Sequence, residues 1–459
     1  MPYAGEKEGL SYSESETLEE FFEEALINSY IPIADSLSRI EARFTRIVLS
    51  FSPSWIKHAE RLSTKEGKEN LKARLNSLKK SIENFIEENT DDEALMLAAM
   101  HHLERVEKDI ATLRHYNWNL RNLFKEVLNR KFVIPGTTFA YHPLPRAFED
   151  HPKFLKVSLK EGIRLFNSFF GIKPEFIWIP ELATFPGLEK ILEEVIPGVT
   201  TLTEPNGICP ESKQIHPYTI YDNGKIKVLL KDKITAEKVW SSQTGYPGSP
   251  SYMEFYKAIR LGDESKTLKL FAITSKELPL EEKEIYDPFF AEETVKEQAE
   301  ELSGIIENLL EKSSTLKNST QNKEIVITSA YDAELFGTWW NEGVEFLKST
   351  IEQLEKALQR KHPEAATRDS KRSSPSKIKF NYSSWGAKGG ISLWINEKTS
   401  WMWKELYRAL EKADLKNPDK RELLLLAAQS DWFFMKGSER TPELGEKAFR
   451  SILGKFYRS

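Results

Sequence analysis

Two segments of this 459-residue chain place a carboxylate directly behind a β-type run and ahead of a helical one: IWIPELATFPG at 177–187 and AYDAELFGTWWNEG at 330–343. In the first, Phe176–Ile179 leads to Pro180–Glu181 and then to the helix-like PGLEKILEEV; in the second, Ile325–Ile327 leads to Tyr331–Asp332. In a parallel α/β barrel all strand C-termini open on one face, so acids far apart in sequence meet there. Glu181 and Asp332 are therefore expected to look into one pocket. Two carboxylates about 5 Å apart are what glycosyl transfer with retention requires: one attacks the anomeric carbon, the other protonates the leaving oxygen and later deprotonates the acceptor. The competing explanation for an acid in such a position is a helix cap or a first-turn residue facing the positive end of the helix dipole. The aromatic residues crowding both segments favour a sugar site.

The remaining signals narrow the class. With 65 basic and 70 acidic residues the formal charge is −5, which offers no electrostatic case for nucleic acid or an anionic membrane and suits a neutral polymer. The single cysteine, Cys209, excludes an internal disulfide and a thiolate metal cluster. Neither a phosphate-binding loop nor a dinucleotide fingerprint occurs, which argues against a nucleotide-dependent enzyme. The N-terminus has no basic-then-apolar leader, and the longest aliphatic run, Leu423–Leu426, is far too short to span a bilayer, so a cytoplasmic protein is expected.

Apolar periodicity near 3.6 at Leu18, Phe21, Phe22, Ala25 and Leu26 opens the chain with a helix. A strand at Ile47–Leu49 follows, and 59–130 reads as an all-helical insert with a break at Asn89–Asp92, where Thr90 or Asp91 could cap the next helix. Strands are expected at Phe132–Pro135, Phe176–Ile179, Ile226–Leu230, Leu268–Ala272 and Glu324–Thr328, separated by helices, which argues for a parallel α/β core. The expected layout is a barrel core at 1–58 and 131–352, the insert at 59–130, a polar linker at 353–378 and a mostly helical C-terminal domain at 379–459 that reaches the cleft. Nine of the eleven tryptophans lie after residue 170. Indole faces cover the apolar faces of pyranose rings while acids and amides take the hydroxyls. Trp240, Trp385 and Trp394, in VWSSQTGYPG, SSWGAKGG and SLWINE, are the cleft candidates; Trp339, Trp401 and Trp403 read as core.

At motif level the chain resembles glycoside hydrolase family 57, and within it the α-1,4-glucan branching enzymes. IWIPELATFPG is similar to that group's nucleophile motif and YDAELFGTWWNEG to its acid/base motif. VWSSQTGYPGSPSYMEFY, SSWGAKGGISLWINEKTSWMW and AAQSDWFFMK are similar to further stretches. The resemblance implies an incomplete (β/α)7-type barrel with a helical insert and a C-terminal helical domain, acting without cofactor by double displacement on an α-1,4-glucan. It implies Glu181 as nucleophile, Asp332 as acid/base, and Trp240, Trp385, Trp394, Trp340, Asp431, Trp432 and His142 as substrate-binding residues.

The departures are specific. The family's first strand ends His-x-His-Leu-Pro-Tyr, whereas this sequence opens at Met1–Pro2–Tyr3, so a barrel without that strand is expected, or translation that starts upstream. Thr338 stands where the acid motif has histidine, Leu182 where the nucleophile motif has cysteine, and Lys231–Asp232 where an Arg–Asp pair is usual, which removes a planar bidentate contact. The 200–230 stretch is also shorter than in branching enzymes. Two readings follow: an active α-glucan transferase or hydrolase, or a catalytically impaired glucan-binding or regulatory relative working beside a full-length paralogue or as a homo-oligomer.

Overall fold

The computed structural model describes residues 12–210, 215–262, 266–315, 325–361 and 378–458. Its centre is a parallel sheet whose strands follow one another in chain order: β1 (Ile47–Phe51), β2 (Val133–Thr138), β3 (Phe176–Trp178) and β4 (Thr200–Thr203). β5 (Ile208–Pro210) leaves this sheet, β6 (Tyr221–Asp222) returns antiparallel, and β7 (Lys227–Leu230) pairs parallel with β4. The segment from Ile325 continues the wall beyond β7, with a parallel bridge from Thr328 to Lys231 and an antiparallel one from Ile325 to Thr219. Helices Pro152–Phe170 and Leu188–Val195 connect β2 to β3 and β3 to β4 as crossovers. The fold is thus the parallel α/β core read from the sequence, in the incomplete (β/α)7-type form that the family resemblance implies.

The strands are short, and buried threonines lengthen their pairing. Thr137 Oγ1 donates to Phe51 O at 2.8 Å, Thr138 Oγ1 to Trp178 O at 2.8 Å and Thr201 Oγ1 to Ile177 O at 2.7 Å. Each adds a side-chain hydrogen bond from a buried hydroxyl to a carbonyl of the neighbouring strand, and so satisfies the hydroxyl inside the wall. Inside the sheet's curve, Phe176, Leu182 and Leu202 form a small cluster against half-buried Val48, Ile134, Leu229 and Ala330. Residues from strands far apart in sequence therefore meet in the barrel interior.

Between β1 and β2 the chain is helical, as expected, with long antiparallel helices Lys65–Glu88 and Glu93–His115. The cap between them is Asp92, whose carboxylate accepts from Leu95 N at 3.0 Å, rather than Thr90 or Asp91. Leu268–Ala272 is not a strand of the parallel sheet. β8 (Ile259–Arg260) and β9 (Thr267–Leu268) form a short antiparallel pair, and Phe271 and Ala272 make isolated bridges to Ile285 and Met253.

The helix Gly343–Lys361 runs through the start of the expected linker, and 362–377 lies outside the described residues. β10 (Ile378–Phe380) then pairs antiparallel with β5 and ties the C-terminal part to the barrel. Four helices complete it: Ser400–Lys412, Pro418–Ala427, Ser430–Gly437 and Pro442–Arg458. Their apolar faces share one core with Ile177, Ile179, Val228 and Leu230 of the sheet, so the C-terminal helices have no separate core. Among the described residues no helix is long and apolar enough to cross a membrane.

Candidate active site

Glu181 sits at the end of β3 on a turn through Pro180–Leu182 in which Glu181 (φ 58°) and Leu182 (φ 50°) are both left-handed. Such a conformation costs a non-glycine residue about 1–3 kcal/mol and persists only where its surroundings enforce it. Here Leu182 N donates to Ile179 O, Ala183 N to Pro180 O and Trp385 N to Glu181 O, and the Leu182 side chain is locked into the barrel-interior cluster. At the end of β2, Tyr141 and His142 form a second left-handed pair, each at φ 56°. Two adjacent strand ends are thus bent to turn Glu181 and His142 toward each other.

Both oxygens of Glu181 are occupied. Oε1 accepts from Ser430 Oγ at 2.7 Å and lies 3.6 Å from His142 Nδ1; Oε2 accepts from Trp385 Nε1 at 2.6 Å. Burial is the largest influence on this carboxyl and pushes its pKa up to about 7; the charges of Asp431 and Asp332 act in the same direction, while the Ser430 and Trp385 hydrogen bonds oppose it. His142 is held down to about 4 by desolvation, against the attraction of Asp431, and is therefore a neutral imidazole near pH 7.

Asp332 opens the turn Ala333–Leu335 beyond the last wall segment. Its surface is open to water, yet protein crowds it enough that desolvation raises its pKa to about 6, helped by Glu334 and Asp431 and opposed by Lys231. Asp431 raises both carboxyls, and Asp332 raises Glu181, so the three acids lie near enough to act on one another electrostatically. The Asp332 loop is clamped from behind by the one-turn π-helix Leu26–Tyr30. Tyr30 OH donates to Glu334 Oε1 at 2.5 Å, and Ser29 Oγ lies 2.7 Å from Thr338 Oγ1 while accepting from Thr338 N at 3.1 Å. Thr338, in place of a histidine, thus fastens the loop to the N-terminal helix.

Beside Trp385 the cleft widens to a space of ≈ 430 Å³ whose lining includes Trp240, Glu204, Asn206, Lys231 and Lys388. Lys231 pairs with Glu204 at 3.0 Å, both largely buried. Its sequence neighbour Asp232 caps the helix Lys233–Trp240, accepting from Thr235 N and Oγ1 and from Tyr218 OH. Lys231 faces the cleft, and Asp232 has turned into the wall.

The sequence-predicted tryptophans divide. Trp385 and Trp240 are 43% and 38% exposed at the cleft. Trp394 is fully buried behind Trp385, ring centroids 5.0 Å apart, so it supports that ring from the core and offers no face to a ligand. Trp340 is buried against Tyr252 and Phe346, and Trp432 is buried with its Nε1 donating to Leu426 O. These three placements correct the expected binding roles. Trp339 is also corrected, in the opposite sense: it is 44% exposed and stacks on Trp240 at 5.9 Å, giving the cleft a double indole edge. Trp403 is core as expected, and Trp401 is half-buried against Phe449. Sequence reasoning passed over Ser430, although it lies within the AAQSDWFFMK motif beside Asp431, and over Glu204 and Asn206, which carry no motif of their own.

Strand-end acids, an indole-lined cleft and a curved parallel sheet define a carbohydrate-active barrel, and comparison with known proteins gives the family. The family model for glycosyl hydrolase family 57 matches residues 3–371, and the chain belongs to that family. It is 27% identical over 477 aligned positions to a 1,4-alpha-glucan branching enzyme of Thermococcus kodakarensis, covering 94% of this chain and 68% of that one. A probable 1,4-alpha-glucan branching enzyme of Mycobacterium tuberculosis is 28% identical over 219 residues, which are 46% of this chain and 38% of the relative. Among solved structures, the family 57 branching enzyme of Pyrococcus horikoshii superposes with a TM-score of 0.81 at 25% identity, covering 96% of this chain and 85% of that one. The alpha-amylase AmyC of Thermotoga maritima shares the fold with a TM-score of 0.83 at 22% identity, over 100% and 90% of the two chains.

Proposed function

We propose that this protein is an α-1,4-glucan-active, retaining glycoside hydrolase or glucanotransferase of branching-enzyme type. The observation that supports the proposal is a pair of carboxyls raised by burial, Glu181 after β3 and Asp332 after the last wall segment, with the charge of Asp332 acting on Glu181 and the indole that holds Glu181, Trp385, also lining the cleft. Glu181 is the nucleophile. Ser430 and Trp385 hold both of its oxygens, so the carboxylate reaches the anomeric carbon from a fixed rotamer. Asp332, accessible and raised to about 6, gives its proton to the leaving glycosidic oxygen and in the second step takes one from water or from an acceptor hydroxyl. Trp385 and Trp240 cover sugar faces, and His142 and Asp431 take hydroxyls. The substrate is a neutral polysaccharide or oligosaccharide, and neither cofactor nor metal enters the reaction.

A second reading has a specific observation in its favour. Turnover needs Glu181 ionised, yet burial pushes its pKa up to about 7, so near neutral pH the candidate nucleophile is not firmly charged. A relative that binds glucan without cleaving it fits such a carboxyl. Incubation with amylose, followed by reducing-end counts and chain-length profiles before and after debranching, with Glu181→Gln as control, separates the readings. New α-1,6 branches or new reducing ends that vanish in the variant establish the enzyme. Bound but unaltered amylose establishes the binding protein.

A further inference from the structure

Among the described residues, Ser430 carries a hydrogen bond from the C-terminal helices to the candidate nucleophile. It is fully buried at the start of the helix Ser430–Gly437, and its backbone is pinned to the strand-end turn that carries His142: Ser430 N donates to His142 O at 3.0 Å, and Gln429 bridges antiparallel to Pro143. Its hydroxyl lies 2.7 Å from Glu181 Oε1 and 3.1 Å from His142 Nδ1.

The proton count at this junction has one solution while Glu181 is ionised. A carboxylate can only accept, and a hydroxyl has a single proton to donate. Ser430 therefore gives its proton to Glu181 and must accept from His142, which puts the imidazole proton on Nδ1 and leaves Nε2 as a lone pair. The groups that face this chain are Asp431 on the helix of Ser430, Asp332 beyond the last wall segment and the Trp385 indole; His142, desolvated, stays uncharged among them.

We infer that Ser430 is a positioning residue that reaches into the barrel from the C-terminal helices, fixing the Glu181 carboxylate rotamer and the Nδ1–H tautomer of His142 through the chain His142 Nδ1–H, Ser430 O–H, Glu181 Oε1. The inference rests on the reading of Glu181 as nucleophile. It gives the C-terminal helices a chemical part in the site beside their packing role, and it makes His142 Nε2 an acceptor for a substrate hydroxyl.

The test compares the wild type with Ser430→Ala, Ser430→Thr and Glu181→Gln on maltoheptaose across pH. For Ser430→Ala, kcat falls about 10- to 100-fold, as expected for loss of a hydrogen bond to a charged group, with KM within about twofold. The acid limb of its kcat/KM profile moves to higher pH, because a donor that favoured the ionised form is gone. Ser430→Thr keeps the hydroxyl and restores the limb. A merely structural serine would lower Tm and leave the limb in place. Wild-type kcat and an unshifted limb in Ser430→Ala, beside an inactive Glu181→Gln, overturn this inference alone; an active Glu181→Gln overturns the reading beneath it. A 15N spectrum serves should Ser430→Ala fold poorly or the wild type prove inactive. The His142 signal, identified by its loss in His142→Gln, shows the Nδ1–H tautomer in the wild type, and an Nε2–H tautomer there refutes the chain.

Discussion

Gly337 lies in the loop between Asp332 and the buried Trp340, with φ at +110°. A Cβ built on it would stand 1.8 Å from the carbonyl oxygen of Asn28 and 2.8 Å from its carbonyl carbon, both backbone atoms of the π-helical turn. No side-chain rotation relieves that overlap, so in Gly337→Ala one of the two backbones must move. The left-handed conformation costs alanine about 1–3 kcal/mol, and overpacking a fitted contact adds about 1–3 kcal/mol. Parting the two segments also lengthens the pairs from Ser29 to Thr338 and from Tyr30 to Glu334. The total is about 2–6 kcal/mol. At about 2 cal/mol/K of unfolding entropy per residue, 1 kcal/mol shifts the Tm of a chain this long by roughly 1 °C, so calorimetry should show a fall of about 2–6 °C. Activity should fall further than stability, because the loop that moves carries Asp332. Gly304→Ala is the matched control: it is exposed on the helix Pro288–Thr315, nothing lies within 4 Å of its added Cβ, and alanine there should be neutral or stabilising by up to about 1 kcal/mol. A Gly337→Ala protein with unchanged Tm and unchanged turnover would refute the clamp.

Two further outcomes follow from the cleft. Trp385→Phe keeps an aromatic ring, though a smaller one, and removes the indole N–H from Glu181 Oε2, so the acid limb of kcat/KM should rise by about one pH unit, since one unit corresponds to about 1.4 kcal/mol and hydrogen bonds to charged groups contribute about that or more. An unmoved limb would mean that this contact does not tune the carboxyl. Trp240→Ala should raise KM for maltooligosaccharides about 5- to 30-fold, equivalent to about 1–2 kcal/mol of covered apolar surface, whereas buried Trp394→Phe should lower Tm with little change in KM. Equal effects of the two on KM would contradict the assignment of one to the cleft and the other to the core.

The strands legible in the sequence were those whose buried residues are aliphatic or aromatic: Ile47–Phe51, Phe176–Trp178 and Lys227–Leu230. Thr200–Thr203 was not legible, because its side chains read as polar although the hydroxyl of Thr201 is spent on a neighbouring strand's carbonyl. Leu268–Ala272 misled for the converse reason: the run is apolar, but only Leu268, Leu270 and Ala272 are buried, and the partners are nearby segments outside the parallel sheet. The acids were legible because a strand, a turn and a helix in succession leave them few places to go. The tryptophans were not, since whether an indole faces a cleft or a core depends on helices that arrive from elsewhere: Trp394 and Trp385 are nine residues apart in equally polar contexts, and one lies on top of the other. Ser430 illustrates the same limit, for a lone hydroxyl has no spacing rule, and only the fold brings it to Glu181.

The most direct test of the central claim is to identify the residue that becomes glycosylated. Incubation with an activated fluorosugar that forms the glycosyl-enzyme quickly and releases it slowly, followed by proteolysis and mass spectrometry, should place one sugar on the peptide containing Glu181, and none in Glu181→Gln. A sugar on Asp332 or on another residue, or an enzyme that converts amylose without ever carrying the label, would contradict the account.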